Sequence, residues 1–181
     1  MSIRTPARLE ILSPNPAATQ QLGARLGELA RAGDLFCLEG DLGAGKTCFV
    51  QGLGRGLGLR DAIHSPTFIL ANEHRGGRLP LYHLDVYRVR SAGEAIGFGL
   101  DDYLSGDGVL VIEWAEKIRD ALPQERLWIT FEHPTGIFSR SENVRTISFE
   151  ALGARHGELL NAIATETIPP APFNKGGLRG D

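Results

Sequence analysis

Two kinds of apolar run alternate along the chain. Leu35 to Leu38 and Val109 to Ile112 are short and continuous, the pattern of strands buried on both faces of a parallel sheet. Leu22, Leu26 and Leu29, then Phe49, Val50, Leu53 and Leu57, then Ile96, Leu100 and Leu104 recur instead at helical spacing. Residues 8–12 form a short alternating strand, and Ser13-Pro14-Asn15-Pro16 turns the chain into a helix that runs to about residue 32. The helix after Leu38 is expected to fray among the glycines of 52–58, each costing roughly 1 kcal/mol against alanine. Residues 67–74 and 79–87 read as a hairpin turning at Gly76-Gly77, and 93–104 as one helix stopped by Gly106-Asp107-Gly108. Residues 126–132 and 144–150 make a second antiparallel hairpin, and 158–164 a closing helix. The fold class is α/β, a mixed and mainly parallel sheet flanked by helices. Residues 1–167 form one domain, and the Pro- and Gly-rich 168–181 a disordered tail.

Composition narrows the function classes. A chain of 181 residues can bury roughly 70% of its unfolded surface without staples. A net charge of −3 offers no polyelectrolyte attraction, so direct RNA binding is not expected. Met1 to Leu12 has no apolar core of signal-peptide length and no run approaches a membrane span, so a cytoplasmic location away from membranes is expected. Cys37 and Cys48 lack ligand spacing, and the five histidines lack zinc-site pairing. Magnesium is the one metal expected.

The candidate chemistry centres on residues 40–48. Gly40, Gly45, Lys46 and Thr47 satisfy G-x-x-x-x-G-K-[ST] between a strand and a helix, with Gly43 as a third glycine. Such a loop curls so that backbone N–H groups converge on one anion. The helix start adds unpaired N–H groups and a positive dipole end, Lys46 a charge for the β- and γ-phosphates, and Thr47 a hydroxyl for Mg²⁺. Gly40, Asp41, Leu42, Gly43, Ala44, Gly45, Lys46, Thr47 and Cys48 are therefore the candidate nucleotide cradle. This makes the chain a P-loop NTPase by fold class.

Two carboxylates close apolar strands, Asp85 in Leu79 to Tyr87 and Glu113 after Val109 to Ile112. Ligands of open α/β sheets bind beyond the carboxyl ends of strands, so both can face the loop and hold the Mg²⁺ shell. Ser65-Pro66-Thr67 places two hydroxyls around a proline. They serve either as a γ-phosphate sensor or as an ordinary strand entry.

Gly40-Asp-Leu-Gly-Ala-Gly-Lys-Thr47, then Ser65-Pro66-Thr67, then Tyr82-His-Leu-Asp85-Val-Tyr-Arg88, then Ile112-Glu113-Trp114 closely resemble the motifs of the bacterial TsaE (YjeE) family over about residues 9–150. The resemblance implies a P-loop ATPase that binds and slowly hydrolyses Mg-ATP in support of the TsaB and TsaD proteins. These form N6-threonylcarbamoyladenosine beside the anticodon, so tRNA is met only indirectly. It further implies that Gly43 to Thr47 bind the phosphates of ATP or ADP, that Thr47 and Glu113 hold Mg²⁺, and that Ser65 to Thr67 are the switch. Asp85 would position or activate water, and Lys46, Asp85 and Glu113 are the catalytic candidates. Arg145 is either a nucleotide contact or a surface arginine. Cys48 departs from the family, where a second threonine is common. A small-molecule P-loop kinase is the alternative, with Arg75-Gly-Gly-Arg78 as its nearest approach to a lid. No [NT]-K-x-D guanine-reading motif occurs, which favours adenine.

Overall fold

The computed structural model describes residues 7–67, 70–134 and 142–167. Seven strands form one sheet: β1 (Ala7–Ser13), β2 (Leu35–Glu39), β3 (Ala71–His74), β4 (Leu81–Asp85), β5 (Val109–Glu113), β6 (Arg126–Glu132) and β7 (Arg145–Leu152), in the order β1-β7-β6-β2-β5-β4-β3. The four central strands β6, β2, β5 and β4 are parallel, while β1, β7 and β3 pair antiparallel at the two flanks. The mixed, mainly parallel sheet read from the apolar runs is therefore the one that forms. β4 and β5 are buried along their whole length, because helices cover both faces.

Residue alternation divides the core in two. On one face Phe36, Leu38, Val111, Ile129 and Phe149 meet Leu26 of α1 (Pro16–Leu29), Phe49 and Leu53 of α2 (Lys46–Gly56) and Leu159 of α5 (Ala154–Thr167). On the other, Cys37, Leu84, Ile112 and Trp128 meet Ala95 of α3 (Ala92–Gly97), Leu100 of α4 (Leu100–Leu104) and Ile118 of a 3₁₀ segment, Ala115–Ala121. The Asn15 side chain caps α1 by accepting from the Ala18 N–H at 2.9 Å, with Pro16 at its first turn.

Local geometry departs from the hydrophobic pattern in several places. The single helix expected over 93–104 is two short ones, because Gly99 takes φ 89° between them. The strands expected over 67–74 and 79–87 shrink to 71–74 and 81–85, Phe68 and Ile69 lying outside the described residues. The closing helix starts at Ala154 and so is longer than 158–164. α1 stops at Leu29, short of residue 32, and Arg78 donates to the carbonyls of Gly27, Glu28 and Ala30 that this end leaves unpaired.

The glycines of 52–58 do not fray α2. Gly52 and Gly56 are pressed against the Gln20 and Ala24 carbonyls of α1, as Gly23 and Gly27 of α1 are against the Phe49 and Leu53 carbonyls of α2. A β-carbon at any of the four would overlap backbone, so these glycines set the close approach of the two helices. The connection over 135–141 and the tail over 168–181 lie outside the described residues.

Candidate functional site

The loop between β2 and α2 is built on three left-handed glycines. Gly40, Gly43 and Gly45 have φ of 147°, 76° and 107°, values that any residue with a β-carbon adopts only under strain. At Gly43 and Gly45 a β-carbon would point into open space, so their smallness keeps the approach to the backbone clear. No side chain caps α2, which leaves the first-turn N–H groups available to an anion. Thr47 and Cys48 lie in that turn.

β4 and β5 end level with the helix start. Their register pairs Asp85 with Glu113 and, on the neighbouring strand, Leu38 with Glu113. Both carboxylates are buried, at 2% and 3% exposure. Buried carboxylates need donors, and each has them. Glu113 accepts from the Thr47 hydroxyl at 2.9 and 3.0 Å and pairs through Oε1 with His83 Nε2 at 2.8 Å. Asp85 Oδ2 accepts from Ser65 at 2.8 Å and Thr67 at 2.5 Å, while Oδ1 accepts the Tyr87 N–H at 3.0 Å.

Lys46 is almost wholly buried at 4% exposure. Its ammonium donates to the Gly40 and Asp41 carbonyls at 2.5 and 2.9 Å and sits 3.7 Å from the centre of the Trp114 ring. Burial pulls its pKa below the ordinary value, and Glu113, Glu116, Asp85 and Asp41 oppose that shift. Trp114 adopts φ 62° and ψ 33°, a left-handed conformation costly for an aromatic residue, and stacks at 4.9 Å on Tyr87.

These groups surround one cleft of about 350 Å³. Gly43, Gly45, Lys46, Thr47 and Cys48 of the loop and helix start line it together with Ser65, Thr67, Asp85, Tyr87, Glu113 and Trp114. Leu42, 86% exposed, also borders it. Gly40, Asp41, Ala44 and Arg145 are not on its wall. Arg145 instead grips the outside of the loop, donating to Ala44 and Gly43 carbonyls at 3.1 Å each and to Glu142 and Val144 carbonyls at 2.5 and 2.7 Å. The Cys48 thiol turns toward α1, donating to the Pro16 carbonyl at 3.4 Å, and burial raises its pKa.

The donor set suits a magnesium nucleotide. Thr47 and Glu113 bring hard oxygens together beside the open helix start, and Mg²⁺ takes one or two such ligands along with phosphate oxygens and water. Among the described residues no cluster of three or more His, Cys, Asp or Glu side chains is placed to hold a metal. The lid that a kinase needs is absent from Arg75 and Arg78, since Arg75 pairs with Glu73 and Arg78 caps α1. His83 received no role in the sequence, although period-two alternation already set it on the face of Asp85. Trp114 stands in the Ile112-Glu113-Trp114 motif, but its left-handed φ is invisible in a residue name.

The sheet, the loop and the helix it opens define the P-loop NTPase class. Residues 13–141 match the family described as threonylcarbamoyl adenosine biosynthesis protein TsaE. The chain is 41% identical over 150 residues to the tRNA threonylcarbamoyladenosine biosynthesis protein TsaE of Bacillus subtilis, covering 83% of this chain and 90% of that one. It is 42% identical over 139 residues to the protein of that name from Streptomyces coelicolor, covering 75% and 92%. The crystal structure of Bacillus subtilis YdiB superposes with a TM-score of 0.77 at 36% identity, over 91% of this chain and 99% of that one. The chain belongs to the TsaE family, whose role is in tRNA threonylcarbamoyladenosine biosynthesis. No helix among the described residues is long and apolar enough to cross a membrane.

Proposed function

We propose that this chain binds and slowly hydrolyses Mg-ATP, and that it does so in the cytoplasm to support a TsaB–TsaD complex forming N6-threonylcarbamoyladenosine on tRNA. The observation that carries the reading is the Thr47–Glu113 contact at the open start of α2, in the same cleft as Asp85 with its two hydroxyl donors and one strand away from it. Bound Mg²⁺ would neutralise charge on the β- and γ-phosphates. Thr47 and Glu113 would hold it. Lys46 would leave its loop carbonyls for the phosphates, a short movement of a flexible ammonium.

Asp85 would orient water. A carboxylate has about four acceptor sites, and three are used by Ser65, Thr67 and the Tyr87 N–H, which leaves capacity for one further donor. Ser65 and Thr67 are thereby tied to the group that would face the attacking water. A γ-phosphate that drew either hydroxyl away would change the loop and the base together. No described arginine reaches into the cleft, so turnover by the chain alone is expected below the roughly 1–100 s⁻¹ of kinases.

Phosphate release measured with ATP, with and without purified TsaB–TsaD and with Mg²⁺ or chelator, tests this. Slow Mg²⁺-dependent release that changes on addition of the partners is expected. Absence of nucleotide binding under every condition overturns the reading.

A further inference from the structure

We infer that His83 is a positioning residue that fixes the Glu113 carboxylate toward Thr47, an inference that rests on the nucleotide reading above. His83 lies in the middle of β4 with no exposed surface, among Leu81, Val109 and Val111 on the face covered by α2. An imidazole there is expensive unless its polar atoms are used. Nε2 is used, at 2.8 Å from Glu113 Oε1; Nδ1 is buried and has no partner.

That asymmetry selects the tautomer. A proton on Nδ1 would leave a buried N–H with no acceptor and set a bare nitrogen against the carboxylate. With the proton on Nε2 it becomes a charge-assisted donor, and the unpaired atom is the less costly lone pair. His83 thus offers Glu113 one N–H.

The imidazole N–H orients the carboxylate. Oε1 carries both His83 and Thr47, whereas Oε2 accepts only Thr47 at 3.0 Å, so Oε2 is the oxygen with spare capacity beside the helix start. Glu side chains have several rotatable bonds, and a donor behind the carboxylate restricts that freedom before ligand arrives. The competing account is a core histidine kept for its shape.

Substitution separates the two. His83→Gln keeps an N–H donor at similar reach, while His83→Leu keeps apolar volume and no donor. Binding of a non-hydrolysable ATP analogue is measured by calorimetry in chelator and across a Mg²⁺ titration. In chelator, His83→Leu should bind within about twofold of the parent, whereas its Mg²⁺ half-saturation should rise about tenfold, and His83→Gln should recover to within about threefold. An unchanged Mg²⁺ response in His83→Leu, or equal losses in Leu and Gln, overturns the inference. Nitrogen NMR of the nucleotide-free parent should show His83 protonated at Nε2; an Nδ1–H tautomer overturns it even where His83→Leu does not fold. A parent that binds nucleotide with no Mg²⁺ response overturns the magnesium reading instead, and the tautomer still reports on the His83–Glu113 pair.

Discussion

The Lys46 ammonium is held between the Gly40 and Asp41 carbonyls and the face of the Trp114 indole, 3.7 Å from the ring centre. The same lysine carries the charge expected to meet phosphate, so ligand has to draw it from the indole. With Trp128→Phe as background, Trp114 emission should change on titration with ADP or ATP, because the cation leaves the ring. Lys46→Ala should lose the response and bind triphosphate roughly ten- to hundredfold more weakly while remaining folded. Parent-like affinity in that variant would remove residues 40–47 from the site.

Asp85 and Glu113 sit side by side in register yet serve different partners, so their substitutions should differ. Glu113→Ala removes a proposed Mg²⁺ ligand and should weaken Mg²⁺-dependent binding. Asp85→Asn keeps the size but loses the charge that Ser65, Thr67 and water share; turnover should fall at least about tenfold with nucleotide affinity near the parent. Calorimetry and phosphate release on the same preparations check this. Unchanged hydrolysis in both variants would take both carboxylates out of the mechanism.

The α1–α2 contact should be intolerant of a single methyl. Gly52→Ala drives a β-carbon into the Gln20 carbonyl and should cost about 3 kcal/mol, since two helix backbones must separate. Gly157 in α5 meets nothing within 4 Å, so Gly157→Ala should stabilise by about 0.5–1 kcal/mol. Urea midpoints measured on both decide it; similar gains in both would mean that helix propensity, not contact, governs these glycines.

Those glycines also mark where the hydrophobic pattern stops being informative. Leu35 to Leu38 and Val109 to Ile112 announced their strands because burial on both faces leaves no polar position, and the strand-end places of Asp85 and Glu113 followed from that. Gly52 and Gly56 carry one signature whether a helix frays or packs against another, and only the position of α1 separates the outcomes. Arg145 was ambiguous for the same reason. Its grip on the Gly43 and Ala44 carbonyls spans the chain from loop to β7, a juxtaposition made by strand order, not by any local motif.

The two cysteines should differ in reactivity although burial raises the pKa of both. Cys37, wholly buried, is pushed up to about 12, while Cys48 is raised but borders the cleft. Iodoacetamide should label Cys48 alone, faster as pH rises toward its raised value, and more slowly with Mg-ATP present. Comparable labelling of Cys37, or a Cys48 rate indifferent to nucleotide, would contradict this placement. The sign for stability follows: between the ordinary thiol value of 9.0 and about 12, the unfolded chain ionises Cys37 and the folded chain does not, so stability should fall as pH rises through that window. Urea midpoints of the parent and Cys37→Ala across that window measure the difference.

Ser65 and Thr67 lie 2.7 Å from each other and both reach one oxygen of Asp85, their two hydroxyl protons serving two of these three contacts at a time, so they move as a unit or not at all. If a γ-phosphate competes for either hydroxyl, the loop has two arrangements, and a partner can sense nucleotide only by binding the two with different affinity. TsaB–TsaD should therefore bind the ATP-analogue form and the ADP form unequally, and by linkage should shift the ratio of ATP-analogue to ADP affinity by the same factor. A selectivity of about tenfold corresponds to roughly 1.4 kcal/mol of coupling, within the ordinary range. Thr67→Ala removes one corner of the triangle, and two of its three contacts, and should bring the two partner affinities together while leaving nucleotide binding near the parent. Partner affinities measured with analogue, with ADP and without nucleotide check the scheme: three equal values in the parent would eliminate the switch and leave Ser65 and Thr67 as donors that only satisfy a buried carboxylate.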